Sequence, residues 1–139
     1  DIPLETLSPQ VFALNPLSVK IGERYYPRAI QKVNPDNSLS FYCAVDTCIV
    51  LTRSRSADML AQLDGLFEDI SQRIGTPQLI LGYDCIFRRL ELDHLDLMAS
   101  ASAMFARHKV IGFNTYGEQF NGMHLNQTFT GVALGGADY

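Results

Sequence analysis

Tryptophan is absent from this 139-residue chain, and cysteine is scarce, with three residues at Cys43, Cys48 and Cys85. An odd count without CxxC spacing excludes a disulfide framework and a zinc knuckle. Three reduced thiols suit a cytoplasmic protein. No apolar run approaches the roughly 18 residues that a membrane-spanning helix needs, so no membrane insertion is expected. No secretory leader is visible. The glycine-rich phosphate-loop patterns do not occur, which removes support for a nucleotide cradle. Basic residues are outnumbered, 11 against 15 acidic ones, for a net charge of −4. Arg53, Arg55, Arg88 and Arg89 form only two short clusters, so no nucleic-acid partner is expected. The chain opens on Asp1 and not on Met, and is therefore expected to be part of a longer protein.

What remains is a globular composition: 47% hydrophobic residues, with 8 Phe and 6 Tyr to fill a core. The length fits one domain, residues 1–139. A lead-in segment runs through Gly22 with one short helix, Pro9 to Leu14, because Ser8 can cap it and Pro9 suits the first helical position. Arg24 to Val33 reads as a strand. Asn34-Pro35-Asp36-Asn37 is a turn, since Asn and Asp tolerate the backbone angles and Pro presets one. Leu39, Phe41, Cys43 and Val45 alternate with smaller or more polar residues as in a half-buried strand, and Cys48 to Thr52 reads as a third.

A helix follows, with Ser56 as cap and Asp58 in its first turn, Met59 to Ile74 at helical spacing, and Gly75 and Pro77 as its stop. Gln78 to Phe87 is a near-continuous apolar strand, expected at the centre of a sheet. A second helix is predicted from Asp93 to His108. Two strands close the fold as a hairpin, Gly112 to Glu118 and His124 to Gly131. The tail from Ala133 to Ala137 is expected to end it. The predicted class is α+β: a mainly antiparallel sheet made of an N-terminal meander, a central strand and a C-terminal hairpin, covered by two main helices.

The final third is the most polar part of this pattern. Tyr116, Glu118, Asn121, His124, Asn126, Gln127 and Thr128 crowd where the two last strands meet. Buried polar groups cost roughly 1–3 kcal/mol each unless partnered, so the crowding predicts a ligand site or a dense internal network. The glycines Gly82, Gly112, Gly117 and Gly122 mark places where another backbone or a ligand approaches closely.

Gly112-Phe113-Asn114-Thr115-Tyr116-Gly117-Glu118, His124-Leu125-Asn126-Gln127-Thr128-Phe129-Thr130 and Tyr83-Asp84-Cys85-Ile86-Phe87-Arg88-Arg89 resemble the C-terminal domain of the FIST family. Pro16-Leu17 and Tyr26-Pro27-Arg28 resemble its opening. The family comprises bacterial and eukaryotic intracellular sensors that bind small ligands, amino acids among them. They work beside histidine kinases, cyclic-dinucleotide enzymes and chemoreceptor modules. One branch resembles haem-binding nitric-oxide sensors, and Glu118-Gln119 with Met123-His124 leans toward it. The resemblance therefore implies a cytoplasmic sensory domain, a small-molecule ligand or haem, and a signalling partner such as a histidine kinase or a cyclic-dinucleotide enzyme.

Six residues are the candidate site. His124 is a polar anchor or a haem-iron ligand, its second nitrogen steered by Glu118 or Asn121; otherwise it bonds a loop carbonyl. Arg88 pairs with a ligand carboxylate, or forms a surface ion pair with Glu91 or Asp93. Arg88 and Arg89 would point to opposite faces if the strand reached them. Glu118 and Asn126 orient the ligand, and Tyr116 stacks on it or fills core. Cys85 lies in the pocket wall as a buried thiol. His94 reads as solvated and His108 carries no assigned role. The pocket is expected between the hairpin and the Cys85 strand. The rival readings are a Cys85–His124 thiol enzyme, which requires a lowered thiol pKa, and a ligand-free docking module, which requires an exposed apolar patch.

Overall fold

A computed structural model describes residues 3–55 and 57–135. After a 3-10 turn at Leu4–Thr6, the Ser8 hydroxyl accepts the Val11 N–H and Pro9 opens helix α1 (Pro9–Leu14), as the capping pattern predicts. Strand β1 (Leu17–Ile21) lies within what the sequence suggests is only a lead-in. Gly22, at φ 61°, makes the tight turn that returns the chain into β2 (Arg24–Arg28). The strand expected over Arg24–Val33 breaks at Ala29. Its second half, β3 (Ile30–Val33), leaves the first sheet and pairs with β4 (Leu39–Phe41) across the Asn34–Asn37 turn. That turn is held by Asn34 N–H to Ser38 O and by Ser38 N–H to Asp36 Oδ1. Strand β5 (Leu51–Arg53) pairs with the free edge of β1, so the first sheet runs β2-β1-β5 and is not the sequential meander expected, because β3 and β4 pair apart from it.

Helix α2 (Met59–Ile74) is capped by Asp58, whose Oδ1 accepts the Ala61 N–H at 3.0 Å. Ser56, the cap expected from sequence, lies outside the described residues. Met59, Leu63 and Phe67 form its buried stripe, and Gly75, at φ 75°, stops it.

Strand β6 (Pro77–Cys85) is central, as its apolar run predicts, but it ends two residues early. Ile86 starts a helix, α3 (Ile86–His94), so Arg88 and Arg89 stand on a helix and do not alternate along a strand. The single helix expected over Asp93–His108 is the end of α3, a break at Asp96 (φ 56°), and α4 (Met98–Arg107). The two helices form the crossover that brings β7 (Val110–Thr115) back parallel to β6. A parallel return needs such a crossover, which is why Gly112–Glu118 does not pair with the last strand.

The chain then makes a small hairpin of β8 (Glu118–Phe120) and β9 (Met123–Leu125) around Asn121 and Gly122, both with positive φ. Strand β10 (Phe129–Gly135) takes the other side of β6, antiparallel, giving the order β10-β6-β7. The residues after Gly135, part of the expected tail, lie outside the described residues. Helices with mostly antiparallel strands make this an α+β fold. No helix among the described residues is long and apolar enough to cross a membrane.

Three apolar clusters hold the elements together. Phe12, Ala13, Ala29, Ile30, Cys85 and Phe87 join α1, α3 and the first strands. Met59, Leu92 and Ala101 join α2, α3 and α4. Leu63 and Phe67 of α2 pack on Ile80 of β6, with Phe105 and Phe129 stacked on each other beside them at 5.8 Å.

Candidate functional site

The polar groups gather where β6 turns into α3. Asp84 is the penultimate residue of the strand and Arg88 lies in the first helical turn, so the two are one helical turn apart. Arg88 Nε donates to Asp84 Oδ1 at 2.5 Å, and both side chains are about nine-tenths buried. Burial pushes the Asp84 carboxyl above the usual carboxylate range; Arg88 pulls it down, and nearby Glu118 pushes it up.

Arg88 has a further feature. Its Nη2 is buried and has no hydrogen-bond partner among the described residues. Gln127 has a matching one: its Nε2 donates to Ala13 O at 2.9 Å, while its buried Oε1 has no partner among the described residues. Both side chains line one hollow of about 400 Å³ between β1, the start of α2 and α3. Ser18, Ser54 and Arg55 supply further polar groups to it, with the Ser54 hydroxyl donating to Ser18 Oγ at 2.7 Å. An unpartnered donor and an unpartnered acceptor on residues lining one hollow suit a ligand that carries both a carboxylate and an amine.

Other expected site residues bond inside the fold. Glu118 is buried and accepts from the hydroxyls of Thr128, at 2.6 Å, and of Thr115. Asn126 is fully buried; its Oδ1 accepts the Ala29 N–H at 3.4 Å and its Nδ2 donates to Tyr116 O at 3.2 Å. These two fasten the β8–β9 hairpin to the body of the domain. The polar crowding of the last third is thus largely an internal network, and the hollow lies beside it, toward Arg88 and Gln127.

Tyr116 is 69% exposed and stacks on Tyr42 at 6.0 Å. His124 is exposed on β9 and contributes to none of the hollows described here. Its Nε2 lies against Gly117, within 1.9 Å of where a Cβ would stand there. A side chain at position 117 would therefore collide with the imidazole, and Gly117 is what lets the ring lie there. His94 is exposed, as expected; His108 bonds Asp64 at 3.1 Å and lies over Phe67 at 4.7 Å.

Cys85 is fully buried at the N-cap of α3. Desolvation pushes its thiol up to about 11, although the N–H groups of Phe87 and Gln127 pull the other way. The thiol is therefore protonated at neutral pH, the reverse of what a nucleophile needs. No hydrogen bond joins it to His124 among the described residues.

A second, more apolar cleft of about 560 Å³ opens on the helix side of the sheet, at the carboxyl ends of the parallel strands β6 and β7. Gly82 and Gly112 form its floor, in a rung of glycines that Gly131 completes on the third strand. A Cβ on Gly112 would stand 1.7 Å from Gly82 O, so the strands can approach this closely only without side chains. Arg89 donates to Asn114 Oδ1 at 3.2 Å at its mouth, and Asp84 reaches it from below.

Asp84 is not among the residues expected from sequence, and Gln127 stands only in the polar crowding and not among the six candidates. The i,i+4 spacing of Asp84 and Arg88 was the available signal, hidden by extending the strand through Phe87. Comparison with protein families matches residues 3–121 to the FIST C domain. No curated protein and no solved structure matches the chain.

Proposed function

The chain belongs to the FIST C domain family, a family of sensory domains in signal transduction, and from that premise we propose that it senses an amino-acid-like metabolite in the hollow lined by Arg88 and Gln127. The carrying observation is the pair of buried atoms without a partner among the described residues, Arg88 Nη2 and Gln127 Oε1, on two residues that line one hollow. Each such atom costs about 1–3 kcal/mol while it remains unbonded. A ligand carboxylate accepts from Nη2 in a charge-assisted bond, and the ligand ammonium donates to Oε1. Arg55, at the exposed side of the hollow, adds attraction for an anion.

The relay follows from where Arg88 stands. It opens α3, the helix that packs on α1, on α4 and on the strands of the main sheet. A carboxylate at Arg88 competes with Asp84 for the same guanidinium and so alters the first turn of α3. The resulting shift between two states is limited by the ligand's differential affinity for them. A signalling enzyme such as a histidine kinase or a cyclic-dinucleotide enzyme would read the change on the surface.

Calorimetry and thermal melting against a panel of free L-amino acids and their amine-free 2-oxo acids tests this. An amino acid is expected to raise the melting temperature of the wild type with the logarithm of ligand excess. Arg88→Lys is expected to weaken all carboxylates by about tenfold or more. Gln127→Leu is expected to weaken the amino acids and spare the 2-oxo acids. Absence of saturable binding across the panel, or equal binding by the wild type and both variants, overturns the proposal.

A further inference from the structure

Helices α2 and α4 cover one face of the β10-β6-β7 sheet, where Ile80, Val110, Phe129 and Ala133 lie in the core. The opposite face carries the alternate residues. In register these make cross-strand rows: Leu134 beside Leu79; Val132, Leu81 and Ile111; Thr130, Tyr83 and Phe113. None is charged. Ile111 is 56% exposed, Phe113 66%, Val132 52% and Leu134 47%. The rings of Tyr83 and Phe113 meet edge to face at 5.4 Å, forming an aromatic pair on the open surface. A contiguous apolar patch of this kind on a soluble protein marks an interaction site.

We propose that this face is a self-association surface, on which a second copy of the chain docks sheet against sheet. The size and chemistry of the face support that occupant. With the exposures above, it offers on the order of 500 Å² per copy, hence about 1,000 Å² in a symmetric pair, the lower bound of a biological interface and the range of a weak, reversible dimer. A two-fold pair requires the patch to be complementary to itself. An uncharged face meets this requirement without juxtaposing like charges, in a chain whose net charge is −4. Two sheets packed in this way lie about 10 Å apart with their side chains interdigitated. The Tyr83–Phe113 pair would sit within the contact as its aromatic anchor.

Sedimentation velocity of the 139-residue chain, from low to high micromolar concentration, tests the proposal. The expected result is a concentration-dependent dimer. Phe113→Asp and Val132→Glu lie on opposite edge strands of the face, and each is expected to weaken the dimer by roughly thirtyfold or more. Both side chains are exposed in the monomer, so the fold should survive, and unchanged circular dichroism checks this. A chain that stays monomeric over the whole range overturns the proposal. So does a dimer that neither substitution weakens, and so does a monomer whose open face binds an apolar dye, since some other occupant must then cover it. Ligand binding at Arg88 is a separate measurement, and either result can fail without the other.

Discussion

The two faces of the β10-β6-β7 sheet are built from the same kinds of residue and meet opposite fates. On the helix side, Ile80 is 2% exposed beneath Phe67, which is itself fully buried; on the other side, Phe113 is 66% exposed. Their residue types do not separate them, since both read as core. Only the placement of α2 and α4 decides which is dry. The contrast also runs along a single strand. Leu79, Leu81, Tyr83 and Cys85 share one side of β6 by alternation, yet that side is open at its start and sealed at Cys85, where α1 and the Ala29–Ile30 backbone close over it. An apolar strand therefore reports that a partner layer is needed, without naming the layer.

Four measurements sharpen or break this contrast, from the largest expected effect to the smallest. Phe67→Ala, on the covered face, should lower stability by about 3–5 kcal/mol in urea unfolding, through lost transfer energy and a residual cavity. A loss below about 1 kcal/mol would mean that the helix side is loosely packed.

The next concerns pH at the sealed end of β6. The Cys85 thiol is raised from 9.0 to about 11 in the fold. A raised acid contributes stability that is fully present below the unfolded value and is lost as pH rises through the folded one. Stability should thus fall by about 2–3 kcal/mol between pH 9 and just above pH 11. Cys85→Ala should lack this part of the decline. Identical pH profiles for the wild type and the variant would show that the thiol is not sealed.

Gly112→Ala puts a methyl group against the Gly82 carbonyl in the glycine rung. It should cost about 1–3 kcal/mol by overpacking, with faster hydrogen exchange at the β6–β7 amides. Phe113→Ser, on the open face, should change monomer stability by less than about 0.5 kcal/mol. A larger loss in dilute solution would mean that the face is already covered within one copy.

Much of the fold was legible wherever a local signal acts alone. Ser8-Pro9 caps α1, Asn34–Asn37 turns the chain, the Met59–Ile74 stripe makes α2, and the apolar run makes β6. Legibility failed where neighbouring signals merged. Ile86-Phe87 continues the hydrophobic run of β6, so nothing local marks the switch to helix, and the partnership of Asp84 with Arg88 was hidden with it. Leu17, Val19 and Ile21 alternate ahead of a glycine, but the prolines around them masked a strand. Arg88 was selected as a candidate anion partner and does line a hollow, although from a helix. Glu118 and Asn126 were selected because polar groups crowd near them. They are buried as that crowding implies, but their hydrogen bonds go to Thr115, Thr128, Ala29 and Tyr116. Spacing along a chain shows that polar groups must be satisfied; only tertiary geometry shows which ones are left over.

The junction of β6 with α3 has one further consequence. Asp84 borders the glycine-floored cleft and Arg88 borders the polar hollow, and a single ion pair stands between them. Whatever neutralises the guanidinium from one side leaves the carboxylate on the other without its counter-charge, in buried surroundings that already raise its pKa. Occupancy of one chamber would then be felt in the next as a further rise in the pKa of Asp84, a change of charge balance carried through the wall by one side chain.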